Sequence, residues 1–187
     1  MLIMKKILLF ISFVVTLVSA FALPPAGDEG YKTFFTWTVN RSLKWADFQG
    51  TPIDYASEVA MTASSVEFSY YTKGNQIDWV VTAKYFPKLS WSKKKLQSDY
   101  ILKHEQLHFD ITELYARLFR KRLAENVHSA KDIVKLKVIS KDIMKEWANE
   151  ENDYDRETKH STDVKQQTAW NLSIQQRLDE LKDFASK

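Results

Sequence analysis

Residues 104–108 read His-Glu-Gln-Leu-His, and this stretch is the most informative part of the chain. In an α-helix, residues four apart lie about 40° from each other around the axis and one turn apart along it. Both imidazoles can therefore bind one tetrahedral zinc ion, while Glu105 between them can act on a water molecule at that ion. A pattern of five residues is short, so the surrounding sequence has to support it.

The pattern lies in the longest helix that the sequence predicts. No Gly or Pro occurs from about residue 94 to residue 125, and apolar residues recur at intervals of three and four. His104, His108 and Tyr115 lie beside this apolar stripe, whereas Glu113 lies nearly opposite the histidine pair. The two histidines therefore face the protein interior.

The residues before this helix predict a β-rich half. Aromatic-rich segments at 34–39 and 43–48 are typical of short strands. Apolar side chains then alternate at 66–70 and 77–81, and Lys73-Gly74-Asn75 between these segments predicts a hairpin.

Two further helices are predicted after the long one. The second runs from about residue 131 to residue 150, and Ser161 or Thr162 is expected to cap the last helix. Strands followed by helices predict an α+β fold, with an antiparallel sheet packed against the histidine-bearing helix and two C-terminal helices. We expect residues 34–187 to form this single domain.

The N-terminus reads as an export signal spanning residues 1–22. Lys5 and Lys6 precede an apolar run, and Ala20-Phe21-Ala22 provides the small residues at which such signals are cleaved. Residues 23–33 carry Pro, Gly and acidic residues and predict a flexible leader. We therefore expect an exported protein, periplasmic or secreted, with no stable membrane span after cleavage. The chain has no Cys, which excludes a lipid-modified N-terminal cysteine.

The overall charge argues against a nucleic-acid partner. The formal net charge is +3, and two of these positive charges belong to Lys5 and Lys6 of the predicted signal. The remaining domain is therefore close to neutral, without the strong basic bias that nucleic-acid binding proteins show.

A catalytic zinc site needs a third protein ligand and an open position for water. Glu113 faces away from the pair, and His128 lies at the predicted end of the long helix. His160, between the last two helices, is the imidazole that remains, and Asp155 in the same predicted turn is the carboxylate alternative. The other carboxylates considered are Glu157, Glu150 and Glu151.

At this point the chain resembles a bacterial family. The motifs that carry the resemblance occur in the same order and are Leu43–Gly50, Ser90-Trp91, His104–Asp110, and Tyr154–His160 followed by Gln166 or Gln167 and Trp170. The family is number nine-two-two of the domains of unknown function, described as predicted secreted zinc-dependent proteases. The similarity spans most of the chain after the predicted leader.

The resemblance implies a zincin-like metallopeptidase fold with His104, Glu105 and His108 in the usual roles of two ligands and a general base. It also implies His160 as the third ligand. The residue after that histidine is commonly Gly in the family and is Ser161 here, so the backbone of this turn is expected to differ.

These observations lead us to expect a zinc-dependent peptidase with one zinc ion per chain and a peptide or protein substrate. Glu105 would take a proton from the attacking water. Tyr115 or Tyr154 would donate to the developing oxyanion, and Asp110 would orient a ligand imidazole.

Two alternatives remain at this stage. The first is a catalytically silent, zinc-stabilised envelope or binding protein, whose fourth zinc position is closed by another protein ligand. The second is a metal-free domain in which the histidine pair is simply buried in the core.

Overall fold

The computed structural model describes residues 29–186. The predicted export signal (1–22) and the first part of the predicted leader lie outside this range. The rest of that leader includes a 3-10 helix at Glu29–Lys32, and the Tyr31 ring packs edge-on against Phe86 with 5.3 Å between centroids.

The described residues form an α+β domain, as the sequence predicts. The strands are β1 (Phe35–Thr36), β2 (Ala60–Met61), β3 (Ser64–Lys73), β4 (Gln76–Tyr85) and β5 (Trp91–Ser92). The α-helices are α1 (Asp99–Asn126), α2 (Ile133–Thr158) and α3 (Val164–Glu180). Within the described range, the strands form two antiparallel sheets, one in the order β1-β4-β3 and one of β2 and β5.

The predicted hairpin is confirmed and is longer than expected, because β3 and β4 pair along their whole lengths from Ser64↔Tyr85 to Lys73↔Gln76. Gly74 opens the turn at φ +63°, a left-handed conformation that glycine adopts without a steric penalty. Side chains alternate between the faces, so Val66 and Val81 are buried, whereas Glu67 and Lys84 pair on the outer face.

The long helix α1 runs through the middle of the domain. Ser98 caps its N-terminus by accepting a hydrogen bond from the Ile101 amide. One side packs on the hairpin, where Phe119 meets Phe68 with 4.8 Å between ring centroids. Other sides of α1 contact α2 and α3, so the histidine pattern lies between the sheet half and the helical half.

Three secondary-structure predictions were wrong, and the first two concern short local features. The segment 43–48 contains a 3-10 helix at Trp45–Asp47 instead of a strand, because the Asp47 carboxylate accepts a hydrogen bond from the Lys44 amide and closes a local turn. The cap of α3 is Asp163, whose side chain accepts from the Gln166 amide, and neither Ser161 nor Thr162 has that role.

The predicted end of the second helix is the error with the largest consequence. It continues to Thr158, eight residues beyond the predicted end at 150, and no Gly or Pro interrupts this stretch. Asp155 and Glu157 therefore lie on a regular helix and not in the predicted turn.

A search of the described helices finds none that is both long enough and apolar enough to cross a membrane.

Candidate metal centre

Three side chains from two helices converge beside the centre of the domain. Asp155 Oδ1 on α2 lies 3.3 Å from His104 Nε2 and 3.1 Å from His108 Nε2 on α1. One ligand atom from each of these residues lies within 4.8 Å of the other two, which makes the group a candidate metal site. The i and i+4 spacing on α1 brings the two rings to one side of the helix, and the added turns of α2 bring Asp155 opposite them.

Each imidazole is held from behind by a different helix. His104 Nδ1 donates to Gln167 Oε1 on α3 at 2.8 Å, and His108 Nδ1 lies 2.5 Å from Glu151 Oε2 on α2. These contacts occupy both Nδ1 atoms. The Nε2 atoms are consequently the nitrogens that face Asp155.

The ring of Tyr154 fixes the two imidazoles further. It stacks on His104 with 4.7 Å between centroids and meets His108 edge-on at 4.8 Å. The hydroxyl of Tyr154 donates to the His104 backbone carbonyl and accepts from Gln167 Nε2. Tyr154 is fully buried, so the two imidazole rings pack against a side chain that is itself held in place.

The charges around His108 perturb the cluster strongly. Burial alone would lower the pKa of His108, but the carboxylates of Asp155 and Glu151 outweigh it and raise that pKa well above its usual value. Burial would likewise raise the pKa of Asp155, and its contacts with His108 and His104 instead hold it below the usual range. The two carboxylates on either side of His108 therefore favour its protonated form.

Glu105 lies next to the cluster and is almost fully buried. Its Oε2 accepts a hydrogen bond from Thr62 Oγ1 at 2.8 Å. Thr62 lies in the short connection between β2 and β3, so the carboxylate is held between α1 and the strands.

The cluster opens into a cavity of about 370 Å³. One wall is the continuous segment 57–62, which includes β2, and another consists of the end of α2 and the loop at 159–162. His104, Glu105 and His108 also line the cavity. This volume lies within the range of about 300–1,000 Å³ that is typical of small-molecule ligand pockets.

The two candidates for the third ligand lie side by side. Asp155 belongs to the cluster, whereas His160 Nδ1 lies 3.6 Å from Asp155 Oδ1 and the His160 side chain is 51% exposed at the cavity rim. Lys159, His160 and Ser161 have φ values of 50°, 50° and 72°. Such left-handed backbone costs non-glycine residues about 1–2 kcal/mol each, so Ser161 has a conformation that glycine would adopt without this cost.

The other carboxylate candidates have partners elsewhere. Glu150 accepts from Tyr115 and pairs with Arg177, and Glu157 accepts from the indole of Trp170. Glu151 contacts the back of His108 and does not join the Nε2 atoms in front of it.

The two residues that the sequence pattern argues against as ligands also lie away from the cluster. Glu113 is fully buried and pairs with Arg117 and Arg120. His128 follows the end of α1, where its amide donates to Asp132.

Three predicted supporting residues have different roles from those expected. Asp110 accepts from Trp37 Nε1 at 2.7 Å and from Gln106 Nε2 at 2.8 Å, so it anchors the N-terminal segment and does not orient an imidazole. Its position on the helix explains this, since two residues beyond His108 is about 200° around the axis. The Tyr115 hydroxyl donates to Glu150, the buried Tyr154 hydroxyl is engaged as described, and neither residue is among those that line the cavity.

Sequence reasoning did not assign the supporting roles of Gln167, Glu151 and Thr62. Gln167 carried a signal, because a glutamine at 166 or 167 belongs to the motifs that resemble the family. Glu151 was considered only as a zinc ligand. Thr62 lies 43 residues from Glu105 in sequence, and no local pattern marks it.

Comparison with known proteins identifies the family to which the chain belongs. The model of the family described as "Bacterial protein of unknown function (DUF922)" matches residues 33–161. The chain belongs to this family. The DUF922 match includes the histidine pattern, Asp155, His160 and both cavity walls up to residue 161. No curated protein and no solved structure matches the chain.

Proposed function

We propose that this DUF922 protein is an exported, zinc-dependent peptidase with a zincin-like active site. The observation that carries the proposal is the convergence of His104, His108 and Asp155 at a cavity that also contains the Glu105 carboxylate. Two imidazoles, one carboxylate and an adjacent glutamate are the groups that zinc-dependent hydrolysis requires.

The residue types fit zinc, and so do the two distances from Asp155 to the histidines. Bonds of about 2.0–2.2 Å in tetrahedral geometry place neighbouring ligand atoms roughly 3.3 Å apart. Asp155 Oδ1 lies 3.3 Å and 3.1 Å from the two Nε2 atoms. The same oxygen is buried and lies within ion-pair distance of both Nε2 atoms without a regular hydrogen bond, an arrangement that a cation between the three atoms would satisfy. We therefore assign Asp155 as the third ligand, in place of His160.

When bound, zinc would supply Lewis acidity that polarises a carbonyl and makes water a better nucleophile at neutral pH. Glu105 would receive the proton of the attacking water and pass it to the leaving amine. Gln167 and Glu151 would hold the two imidazoles in the tautomer that directs Nε2 forward. The segment 57–62 and the end of α2 would form the sides of the substrate site.

The proposed substrate is a peptide or protein, because two histidines and a glutamate in this spacing on one helix are the arrangement of zinc metalloproteases, and all three residues line the cavity. We also propose that the protein acts outside the cytoplasm. This part rests on the signal-like residues 1–22.

The direct test is Glu105→Gln. The variant should bind zinc as the wild type does and lose peptide hydrolysis by at least about a hundredfold, since general-base catalysis contributes about 10²–10⁴. Glu125→Gln, at the exposed end of the same helix, is the matched control and should retain full activity. Unchanged turnover in a folded Glu105→Gln protein would rule out this mechanism.

One contact favours the alternative of a catalytically silent, zinc-stabilised protein. His160 lies 3.6 Å from Asp155 Oδ1 and is a fourth protein donor near the cluster. If it closed the fourth position, the site would be structural. His160→Ala would then lower the zinc affinity sharply, whereas an open catalytic site predicts a small change.

A further inference from the structure

The hydroxyl of Thr62 is in direct contact with the carboxylate of Glu105. Thr62 Oγ1 donates to Glu105 Oε2 at 2.8 Å and lies 3.1 Å from the Glu105 backbone carbonyl oxygen. An ionised carboxylate is the stronger acceptor of the two. The hydroxyl proton therefore belongs to Oε2, and Oε1 is left as the oxygen that can receive a proton.

Thr62 is attached to a rigid part of the backbone. The amide of the next residue, Ala63, donates to Ser90 Oγ, and the Ala63 carbonyl accepts from the Phe86 amide, both at 2.9 Å. Ala63, Ser90 and Phe86 are almost completely buried. Because threonine is β-branched, its χ1 angle has few allowed values, and a fixed backbone at this point fixes the direction of the hydroxyl.

Glu105 needs such a partner more than an average glutamate does. Its side chain has three rotatable bonds, it is only 4% exposed, and it lies beside two histidines and Asp155 in the same cavity. A buried carboxylate without a donor is costly and tends to take whichever rotamer offers one. The bond from Thr62 holds the carboxylate on the β2 side of the cavity.

We propose that Thr62 is a positioning residue for Glu105, whose hydroxyl fixes Oε2 and thereby directs Oε1 into the cavity. The catalytic consequence rests on the proposed function. The positioning itself is a property of the zinc-loaded protein that can be measured without any substrate.

The test compares Thr62→Val, which keeps the shape but removes the donor, with Thr62→Ser, which keeps the donor. The Val variant should bind as much zinc as the wild type, and its kcat should fall about tenfold to a hundredfold with little change in KM, since hydrogen bonds to charged groups are among the stronger ones. The Ser variant should recover kcat to within about threefold of the wild type, because it restores the charge-assisted bond.

Thr82→Val is the matched control. Thr82 lies on β4 opposite Glu67, on the outer face of the hairpin, and its substitution should change neither kcat nor KM. If the Thr62→Val protein does not fold, as judged by its melting temperature, Thr62→Ala is used in its place.

Crystal structures of the zinc-loaded wild type and Val variant provide the readout that needs no substrate. The Glu105 carboxylate should occupy one position in the wild type and shift or become disordered in the Val variant. If the wild type proves inactive but this shift is seen, the peptidase proposal fails and the positioning role stands. An unmoved carboxylate in the Val variant, or an equal loss of kcat in the Ser and Val variants, would overturn the inference.

Discussion

His104 and His108 lie one turn apart on the same helix, but their supports differ in charge and in origin. A neutral amide from α3, Gln167, accepts from His104, whereas a carboxylate from α2, Glu151, lies behind His108. The two histidines are equivalent in the five-residue pattern, but they have different surroundings in the folded protein.

The difference shows what the two C-terminal helices contribute. The histidine pair on α1 can form from local sequence alone, but its orientation depends on Glu151 and Tyr154 of α2 and on Gln167 of α3. A negative charge behind His108 makes that imidazole a better donor to a cation, and it also makes the imidazole more basic towards protons. The two halves of the site should therefore respond differently to mutation and to pH.

Removing either imidazole should have the largest effect. His104→Ala and His108→Ala each delete one of three ligand atoms, so each should reduce zinc affinity by more than the about 10–100-fold that is typical when a supporting residue is lost. Competition with a chromophoric chelator measures the affinity. His128→Ala, outside the cluster, should bind zinc like the wild type, and similar affinities for all three variants would remove the cluster from consideration.

Neutralising the support of His108 should come next. Glu151→Gln retains the shape but removes the charge, and zinc affinity should fall about 10–100-fold. The control is Glu146→Gln on the same helix, where the carboxylate pairs with Arg122 near the surface. If Glu151→Gln binds zinc as tightly as this control, the charge behind His108 has no role in binding.

The amide behind His104 should matter less, because no charge is lost. Gln167→Met should reduce zinc affinity by up to about tenfold, the lower end of the range for supporting residues. Gln175→Met on the exposed side of α3 provides the comparison. A loss larger than that of Glu151→Gln would reverse the ranking of the two supports.

The last prediction concerns the pH at which zinc affinity levels off, and it tests the difference between the two histidines most sharply. Because its neighbours raise the pKa of His108, zinc must displace a proton from it at neutral pH. Affinity should therefore rise with pH, by up to about tenfold per unit for one displaced proton, and level off above the pKa of His108. In Glu151→Gln this pKa is lower, so the plateau should begin at a lower pH. Calorimetry in buffers of different ionisation enthalpy counts the protons released.

The sequence predicted the parts of the fold that depend on local pattern. The hairpin followed from alternation around Gly74, and α1 followed from an uninterrupted periodic stretch that places His104 and His108 on one side. Aromatic residues at 43–48 suggested a strand, but the Asp47 side chain closes a turn there. Propensity alone could not reveal that local hydrogen bond.

The third ligand and the supporting residues could not be predicted in the same way. A helix that ends at 150 places Asp155 in a turn. Its actual orientation depends on α2 continuing to Thr158. Thr62 and Gln167 reach Glu105 and His104 only through tertiary packing, over 43 and 63 residues of sequence. Apart from the family motif that includes Gln167, one chain contains no local signal for such contacts.

The most direct measurement is the zinc content of the purified protein and of three variants, His104→Ala, Asp155→Ala and His160→Ala, by elemental mass spectrometry after equilibration with limiting zinc. The account predicts about one zinc per chain in the wild type, loss of zinc in the first two variants, and retention in His160→Ala, whose side chain is 51% exposed at the rim. Zinc retained by Asp155→Ala but lost by His160→Ala would contradict the assignment of Asp155. A wild-type protein that takes up no zinc would contradict the metal centre itself.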